Sequence, residues 1–331
     1  MQFIEELKYL LRALGNRHRQ GQRPNVLLCA TPRGGSTWLM EIIASQPRMK
    51  FYDEPFNVRR ADVARAGRFT RWAELMPEHV DTAKVFAYLD DLAQNRLPHM
   101  NPRPFRRHHR LFTDRIVFKI HELEFMADKI RQHLQAQVVY LLRHPIPTSL
   151  SRNVYPRLDY FMRSPYYRER YLTEAVWGEV QRIHQQGTDL EKGVLSWCFE
   201  NVDVLRGGNV SNWTVISYEE LLLNPVKCCG YLAERLNLED MDALLKSIDE
   251  PSSNIRMSDQ DTHKILHEHD KQARKKKMVM KWRGKVGEAE EHRAMAILAL
   301  FGLDVYTAGR CIATRSYLLF EDTQAPGQVA A

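Results

Sequence analysis

Apolar positions fall into short continuous runs, separated by stretches in which they recur at helical spacing. Val26-Leu27-Leu28-Cys29-Ala30 is one such run; it follows the polar stretch Asn16–Asn25 and leads into Thr31-Pro32-Arg33-Gly34-Gly35-Ser36-Thr37. The pattern predicts a buried strand, a glycine-rich turn and a helix that opens near Ser36 and runs through Trp38, Leu39, Ile42 and Ile43. Ile116–Ile120, Val138–Leu142 and Trp213–Ser217 read as further strands, with helices at Leu123–Leu134 and Leu190–Leu205. Strands alternating with helices imply a three-layer α/β fold, a mostly parallel central sheet flanked by helices on both faces. Residues 1–331 read as a single domain. At its front, residues 1–25 form an amphipathic helix and a linker. Phe3, Ile4, Leu7, Leu10, Leu11 and Leu14 recur at helical spacing and share one face, while Glu5, Glu6, Lys8 and Arg12 break the apolar run along the sequence. Packing of that face on the domain is the expectation and peripheral membrane contact the alternative. No apolar run reaches the length of a transmembrane segment.

Two stretches stand outside the alternation and are expected to be substrate-side insertions. Residues 59–114 are basic and include Pro102-Arg103-Pro104-Phe105-Arg106-Arg107, while residues 153–188 are rich in aromatic side chains. From Thr323 the chain reads as a loose tail, residues 323–331. A composition of 44% hydrophobic and 27% charged residues excludes the disordered and collagen-like classes. The five cysteines, Cys29, Cys198, Cys228, Cys229 and Cys311, form neither a disulfide framework nor a C-x-x-C pair, which points to a reducing, cytoplasmic setting. Nine Lys or Arg against two acids between His263 and Lys285 account for the whole net charge of +7. No aromatic RNA-binding signature accompanies them, so the expected role of residues 263–287 is a basic loop over an anionic ligand and not a nucleic-acid interface. His263, His267, His269 and Asp270 lie among lysines and are not expected to bind a metal.

A strand ending in a glycine-rich turn before a helix presents backbone N–H groups and a helix N-terminus to an anion. Ser36 and Thr37 add hydroxyls and Arg33 a permanent charge; the plainer alternative is an ordinary strand–helix turn. Aligning Gly35 with the second glycine of the Walker pattern G-x-x-x-x-G-K-[ST] puts Ala30 at the first glycine and Ser36 at the lysine. A kinase needs that lysine on the transferred phosphates, which counts against the rival reading of an ATP-dependent kinase.

Pro32-Arg33-Gly34-Gly35-Ser36-Thr37-Trp38 resembles the 5′-phosphosulfate loop of PAPS-dependent sulfotransferases. Leu142-Arg143-His144-Pro145, with Ser151 eight residues after the arginine, is similar to the family's 3′-phosphate site. Ile216-Ser217-Tyr218-Glu219-Glu220-Leu221 resembles the strand and Tyr-Glu pair whose tyrosine lies beside the adenine. Trp282-Arg283-Gly284-Lys285-Val286-Gly287 is similar to the loop that closes over the 3′-phosphate, although the family often has Arg-Lys-Gly there. Tyr52-Asp53-Glu54-Pro55-Phe56 resembles an element of the carbohydrate sulfotransferases, and Lys119-Ile120-His121 the Lys-x-His of the small-molecule enzymes. These matches run from residue 26 to residue 306. The resemblance implies a P-loop NTPase-like sulfotransferase fold, with PAPS as donor, PAP as product and no metal required. It implies donor contacts by Arg33, Gly34, Gly35, Ser36, Thr37, Trp38, Arg143, Ser151, Tyr218, Arg283, Gly284 and Lys285. Arg33 then stabilises the leaving phosphate, and the base is His121 or Glu54, with Lys119 beside it. His121 is preferred because its ordinary pKa suits neutral pH, leaving Glu54 to orient the acceptor. The acceptor reads as a carbohydrate or glycolipid hydroxyl (or an amine), with a phenol, alcohol or lipid as the alternative. A protein that binds PAPS or PAP without turnover is the non-enzymatic alternative.

Overall fold

The structure is a computed structural model that describes residues 2–104, 106–207, 212–253 and 260–314. Five strands form one sheet: β1 (Val26–Ala30), β2 (Met49–Asp53), β3 (Arg115–Ile120), β4 (Gln137–Leu142) and β5 (Thr214–Ser217). Their order is β2-β3-β1-β4-β5 and every neighbouring pair is parallel. Strand alternation divides the core. Leu27 and Cys29 of β1, with Phe118, Tyr140 and Val215, face a layer containing Trp197 and Phe199. Val26, Leu28 and Ala30, with Val117, Val139 and Ile216, face the opposite layer, which includes Leu39, Ile42 and Leu232.

The N-terminal helix α1 spans Gln2–Leu14, and α2, the helix after the glycine-rich turn, spans Ser36–Ala44. After β4 come the short α3 (Pro145–Ser149) and, further on, the long α4 (Asp189–Arg206), started by a capping box of Thr188 and Glu191. The basic segment forms α5 (Lys271–Met280), preceded by the helix Gln260–Leu266.

Four expectations change. β2 is a strand not picked out from the sequence; it is the sheet's edge and carries the buried Lys50, bonded to Tyr52, Asn95 and Asn101 at 2.9–3.0 Å. The polar linker Asn16–Asn25 contains Arg17–His18, which pairs in parallel with Phe112–Thr113. The 263–287 stretch is helical over Lys271–Met280 and turns tightly at Arg283–Lys285, where a loop was expected. Finally, α1 does not pack through its apolar stripe. It is held by its polar side: Arg12 pairs with Asp62 at 2.9 Å and Glu6 with Arg65 at 2.5 Å, while the stripe from Phe3 to Leu14 stays exposed. The tail from Thr323 lies outside the described residues. Among the described residues no helix is long and apolar enough to cross a membrane.

α4 approaches α3 so closely at Gly193 that an added Cβ would overlap Ser149. Since α3 follows directly on β4, this contact fixes the end of a central strand. Gly193→Ala is expected to destabilise the fold by about 1–3 kcal/mol, the usual cost of overpacking, measured by urea unfolding.

Candidate functional site

Each strand of a parallel sheet ends at the same edge, and here five of the sequence candidates sit at those ends. The glycine-rich turn follows β1, Glu54 follows β2, His121 follows β3, Arg143 follows β4 and Tyr218 follows β5. Leapfrogging of β2 and β4 to opposite sides of β1 opens the sheet edge there into a crevice. A cleft of 510 Å³ occupies it, lined by Arg33, Gly35, Ser36, Thr37, Trp38, Glu54, His121, Arg143 and Tyr218.

The turn is built for close approach. Gly34 N–H donates to Thr31 O at 2.9 Å, and Gly35 caps α2 with φ 92°. The first turn of α2, whose N–H groups are not used by the helix's own ladder, lines the cleft through Ser36, Thr37 and Trp38. Arg33 (φ 69°) and Glu54 (φ 53°) are non-glycine residues in the left-handed region, a conformation that proteins keep mainly where the surroundings enforce it. Arg143 donates to Arg33 O at 2.9 Å, and its guanidinium lies 4.3 Å from the centre of the Tyr218 ring. Tyr218 in turn meets Trp38 edge-on at 5.4 Å. Glu219 accepts the His144 N–H at 2.9 Å and the Tyr306 hydroxyl at 3.0 Å, tying the end of β4 to the start of the helix after β5. Three motifs distant in sequence are thus hydrogen-bonded or stacked into one wall.

The opposite wall is a buried charge network. Lys119, wholly buried in β3, donates to Thr37 Oγ1 at 2.9 Å and to Glu54 Oε1 at 3.1 Å, and pairs with Asp53. Burial would lower the Lys119 pKa, but Asp53 and Glu54 outweigh it and raise it. His121 Nε2 lies 3.3 Å from Glu54 Oε1 and from Ser36 Oγ, while Nδ1 bonds Ala30 O. Nδ1 facing a carbonyl makes it the donor nitrogen. Burial would again lower the His121 pKa; the hydrogen bond and charge of Glu54 prevail and raise it. Burial would raise the Glu54 pKa, and His121 with Lys119 instead holds it far below the usual carboxylate range.

Not every expected donor contact reaches the cleft. Ser151 lies just past α3 and donates to Thr148 O at 2.8 Å. Arg283 turns to Gly309 O and Cys311 Sγ, and Lys285 pairs with Asp261 at 2.6 Å. Neither they nor Gly284 line the cleft; the neighbouring Trp282 is a core residue stacked on His144 at 4.7 Å. The cations lining the cleft from this region are Arg274 and Lys275 of α5 and Lys281 just after it. Arg274, Met278 and Lys281 recur at helical spacing, a signal that a face search along the basic stretch would have found. The 153–188 stretch lines neither this cleft nor the cavity below; Phe161 and Tyr167 pack instead against Phe199 of α4. Among the described residues no group of three or more His, Cys, Asp or Glu is placed to hold a metal ion.

A second cavity, of 400 Å³, adjoins the first. Its wall includes Asp53 and Glu54, Arg60 and Asp62, Asn101, and Arg12 of α1. Among the described residues, Glu54 alone lines both spaces.

A glycine-rich strand–helix turn at the crevice of a parallel sheet is the architecture of a P-loop-like fold. The chain belongs to the sulfotransferase family, whose model (Sulfotransfer_3) matches residues 24–242, more than half of it. Among solved structures it is similar to the sulfotransferase domain of the Synechococcus PCC 7002 olefin synthase, at 17% identity and TM-score 0.41, over 88% of this chain and 100% of that one. It is also similar to mouse sulfotransferase SULT7A1 complexed with PAP, at 16% identity and TM-score 0.34, over 76% and 71% of the two chains. A sulfotransferase from Alicyclobacillus acidocaldarius matches at 15% identity and TM-score 0.34, over 86% and 98%. No curated protein matches the sequence.

A methyl group on Gly35 would stand 2.6 Å from Tyr218 Cδ2, at a φ that side chains disfavour. Gly35→Ala is expected to cost about 1–3 kcal/mol of stability from strain at this φ and the clash together. Made in a Tyr218→Gly background, Gly35→Ala is expected to cost less, because the clash is relieved and only the strain remains; denaturant unfolding of wild type, both single variants and the double separates the two.

Proposed function

We propose that the protein transfers the sulfuryl group of PAPS to a hydroxyl of a carbohydrate, free or as a glycolipid headgroup, and releases PAP. The observation that carries this reading is the position of Glu54, shared between a cation-lined cleft and a second, polar cavity. The cleft takes the donor. The turn N–H groups, Ser36, Thr37 and Arg33 receive the 5′-phosphosulfate, and Arg143 with Arg274, Lys275 and Lys281 offers charge for the 3′-phosphate. Trp38 and Tyr218 supply an aromatic wall for adenine. The second cavity takes the acceptor. Its mixture of carboxylates, guanidinium groups and an amide matches the donors and acceptors of a polyol, whereas a phenol is better held by an apolar wall.

In this scheme the acceptor oxygen attacks sulfur, the bond from sulfur to the 5′-phosphate oxygen breaks, and the hydroxyl proton passes to the protein. Arg33 offsets charge growing on the leaving phosphate; its pKa is too high for it to act as an acid. Glu54 is the better-supported proton acceptor, because it alone reaches the acceptor side. Its low pKa makes it a weak base, which a loose transition state tolerates: the aspartate of protein kinases serves the same purpose. His121 stands behind it, orienting the carboxylate from Nε2, and Lys119 links Glu54 to Thr37 of the turn. No step calls for a metal. The kinase reading keeps no specific support beyond the turn itself.

Two tests follow from these assignments. PAP is expected to raise the melting temperature while ATP with magnesium does not, and Arg143→Ala to weaken PAP about 10- to 100-fold, as losing a charge-assisted contact does. Stabilisation by ATP with magnesium and none by PAP would replace this reading with the kinase. The pH profile separates the two bases. If neutral His121 were the base, kcat/KM would rise with pH through a pKa above 6.5, the direction of its shift. With ionised Glu54 as base and His121 protonated against it, no such rise is expected, and Glu54→Gln is expected to lose about 100-fold or more in kcat, with His121→Ala losing less. A rising limb above pH 6.5 that His121→Ala abolishes would return the role to His121.

A further inference from the structure

Helix α1 is amphipathic in the reverse of the usual sense. Its polar side binds the body, through Arg12–Asp62, Glu6–Arg65 and the Tyr9 ring, over which the Arg65 guanidinium lies at 4.6 Å. Its apolar side, Phe3, Ile4, Leu7, Leu10, Leu11 and Leu14, faces solvent, with Phe3 80% and Leu14 66% exposed. At 100° per residue these six cover an arc of about 120°, and no charged residue falls within it. The stripe continues past the end of the helix: Leu111 and Phe112 are also exposed, and Phe112 pairs with Arg17 just after α1. A contiguous apolar surface of this kind is unusual on a monomer and marks a contact surface.

The charge around it favours one occupant. Lys8 borders the stripe, Arg17 and Arg19 are exposed on α1's continuation, and Arg103 and Arg106 are exposed on the segment α1 abuts, where they line the second cavity with Lys8. Residues 103–112 hold four arginines and no acid. The two acids of α1 are both engaged by cations, Glu5 by Lys8 and Glu6 by Arg65. An apolar face rimmed with cations is the complement of an anionic lipid surface, where the side chains enter the headgroup–acyl boundary and the cations meet phosphates. A second copy of the chain would bring like charge against like charge.

We propose that α1 docks this protein on an anionic bilayer surface. The same helix walls the second cavity through Glu5, Lys8, Tyr9 and Arg12. Docking therefore holds that cavity beside the lipid headgroups, and this deepens the reading above by selecting a membrane glycolipid as the acceptor. That selection rests on the donor and acceptor assignments; the docking does not.

The test is flotation of the full chain with vesicles of phosphatidylcholine containing about one third phosphatidylglycerol, against phosphatidylcholine alone and against high salt. The chain is expected to float with the anionic vesicles only, less so in salt. Leu7→Asp/Leu10→Asp is expected to lower partitioning at least about tenfold. Melting temperature and PAP binding, measured without vesicles, should be unchanged in that variant, since both side chains face solvent. Phe3→Trp gives an independent readout, a blue shift of the added emission, relative to wild type, on anionic vesicles. Wild-type protein that stays off anionic vesicles, or an added emission in Phe3→Trp that is indifferent to them, overturns the proposal. So does a dimer that the double substitution dissociates without any vesicle binding, which assigns the stripe to a second copy. PAP binding is read separately, so failure of the donor assignment and failure of docking remain distinguishable.

Discussion

In a parallel sheet every strand delivers its carboxyl end to the same edge, so the residue after each strand is brought near its neighbours without any further device. That constraint organises this protein. Arg33, Glu54, His121, Arg143 and Tyr218 are separated by up to 185 positions in sequence, yet each stands at or just beyond a strand end. Strands buried on both faces fix those ends firmly, because a register slip would move whole rows of side chains out of two cores at once. The site inherits the rigidity of the sheet, and little of it depends on long loops.

A second constraint follows from burying charge at that edge. Lys119 has no exposure to solvent, and a lone ammonium there would be prohibitively desolvated. Asp53 and Glu54 both answer it, and His121 then shares Glu54. Glu54, Lys119 and His121 bias one another's protonation: carboxylate on Glu54, ammonium on Lys119, a proton favoured on His121. The same pairing that makes the network tolerable inside the protein keeps the Glu54 carboxylate charged and aimed, at the cost of basicity. Its left-handed backbone shows that the chain bends to put it there.

How much of this could be read beforehand depended on the physical signal. β1 and β4 were legible as continuous apolar runs and β3 and β5 as short β-branched and apolar clusters, Ile116-Val117-Phe118 and Val215-Ile216, and the turn after β1 because glycine, serine and arginine at that point have few other uses. β2 was not. Met49-Lys50-Phe51-Tyr52-Asp53 looks polar until Lys50 is seen to be enclosed by Tyr52, Asn95 and Asn101, where burial lowers its pKa to about 7. The basic segment was recognised, but the motif resemblance selected Arg283–Lys285, which face Gly309, Cys311 and Asp261. The cations on the cleft belong to one face of α5 and its continuation, and helix phase rather than motif likeness identifies them. For α1 the periodicity was plain, but which side meets the body was decided by Asp62 and Arg65, residues fifty or more positions away.

The two cavities relate to the chemistry through direction. An in-line displacement needs nucleophile and leaving group on opposite sides of the transferred atom. Glu54 borders both the cleft of the turn and its cations and the polar cavity. A sulfuryl group held on the turn would therefore face the second cavity across a partition whose acidic member is Glu54. Lys119 is bonded at once to Thr37 of the turn and to Glu54, so in the proposed scheme one ammonium group would couple donor binding at the turn to the state of the carboxylate. In the proposed scheme a phosphosulfate bound near Thr37 would draw on the charge of Lys119 and weaken its hold on Glu54. The carboxylate would then be a stronger base with the donor bound, which is when a proton has to be taken.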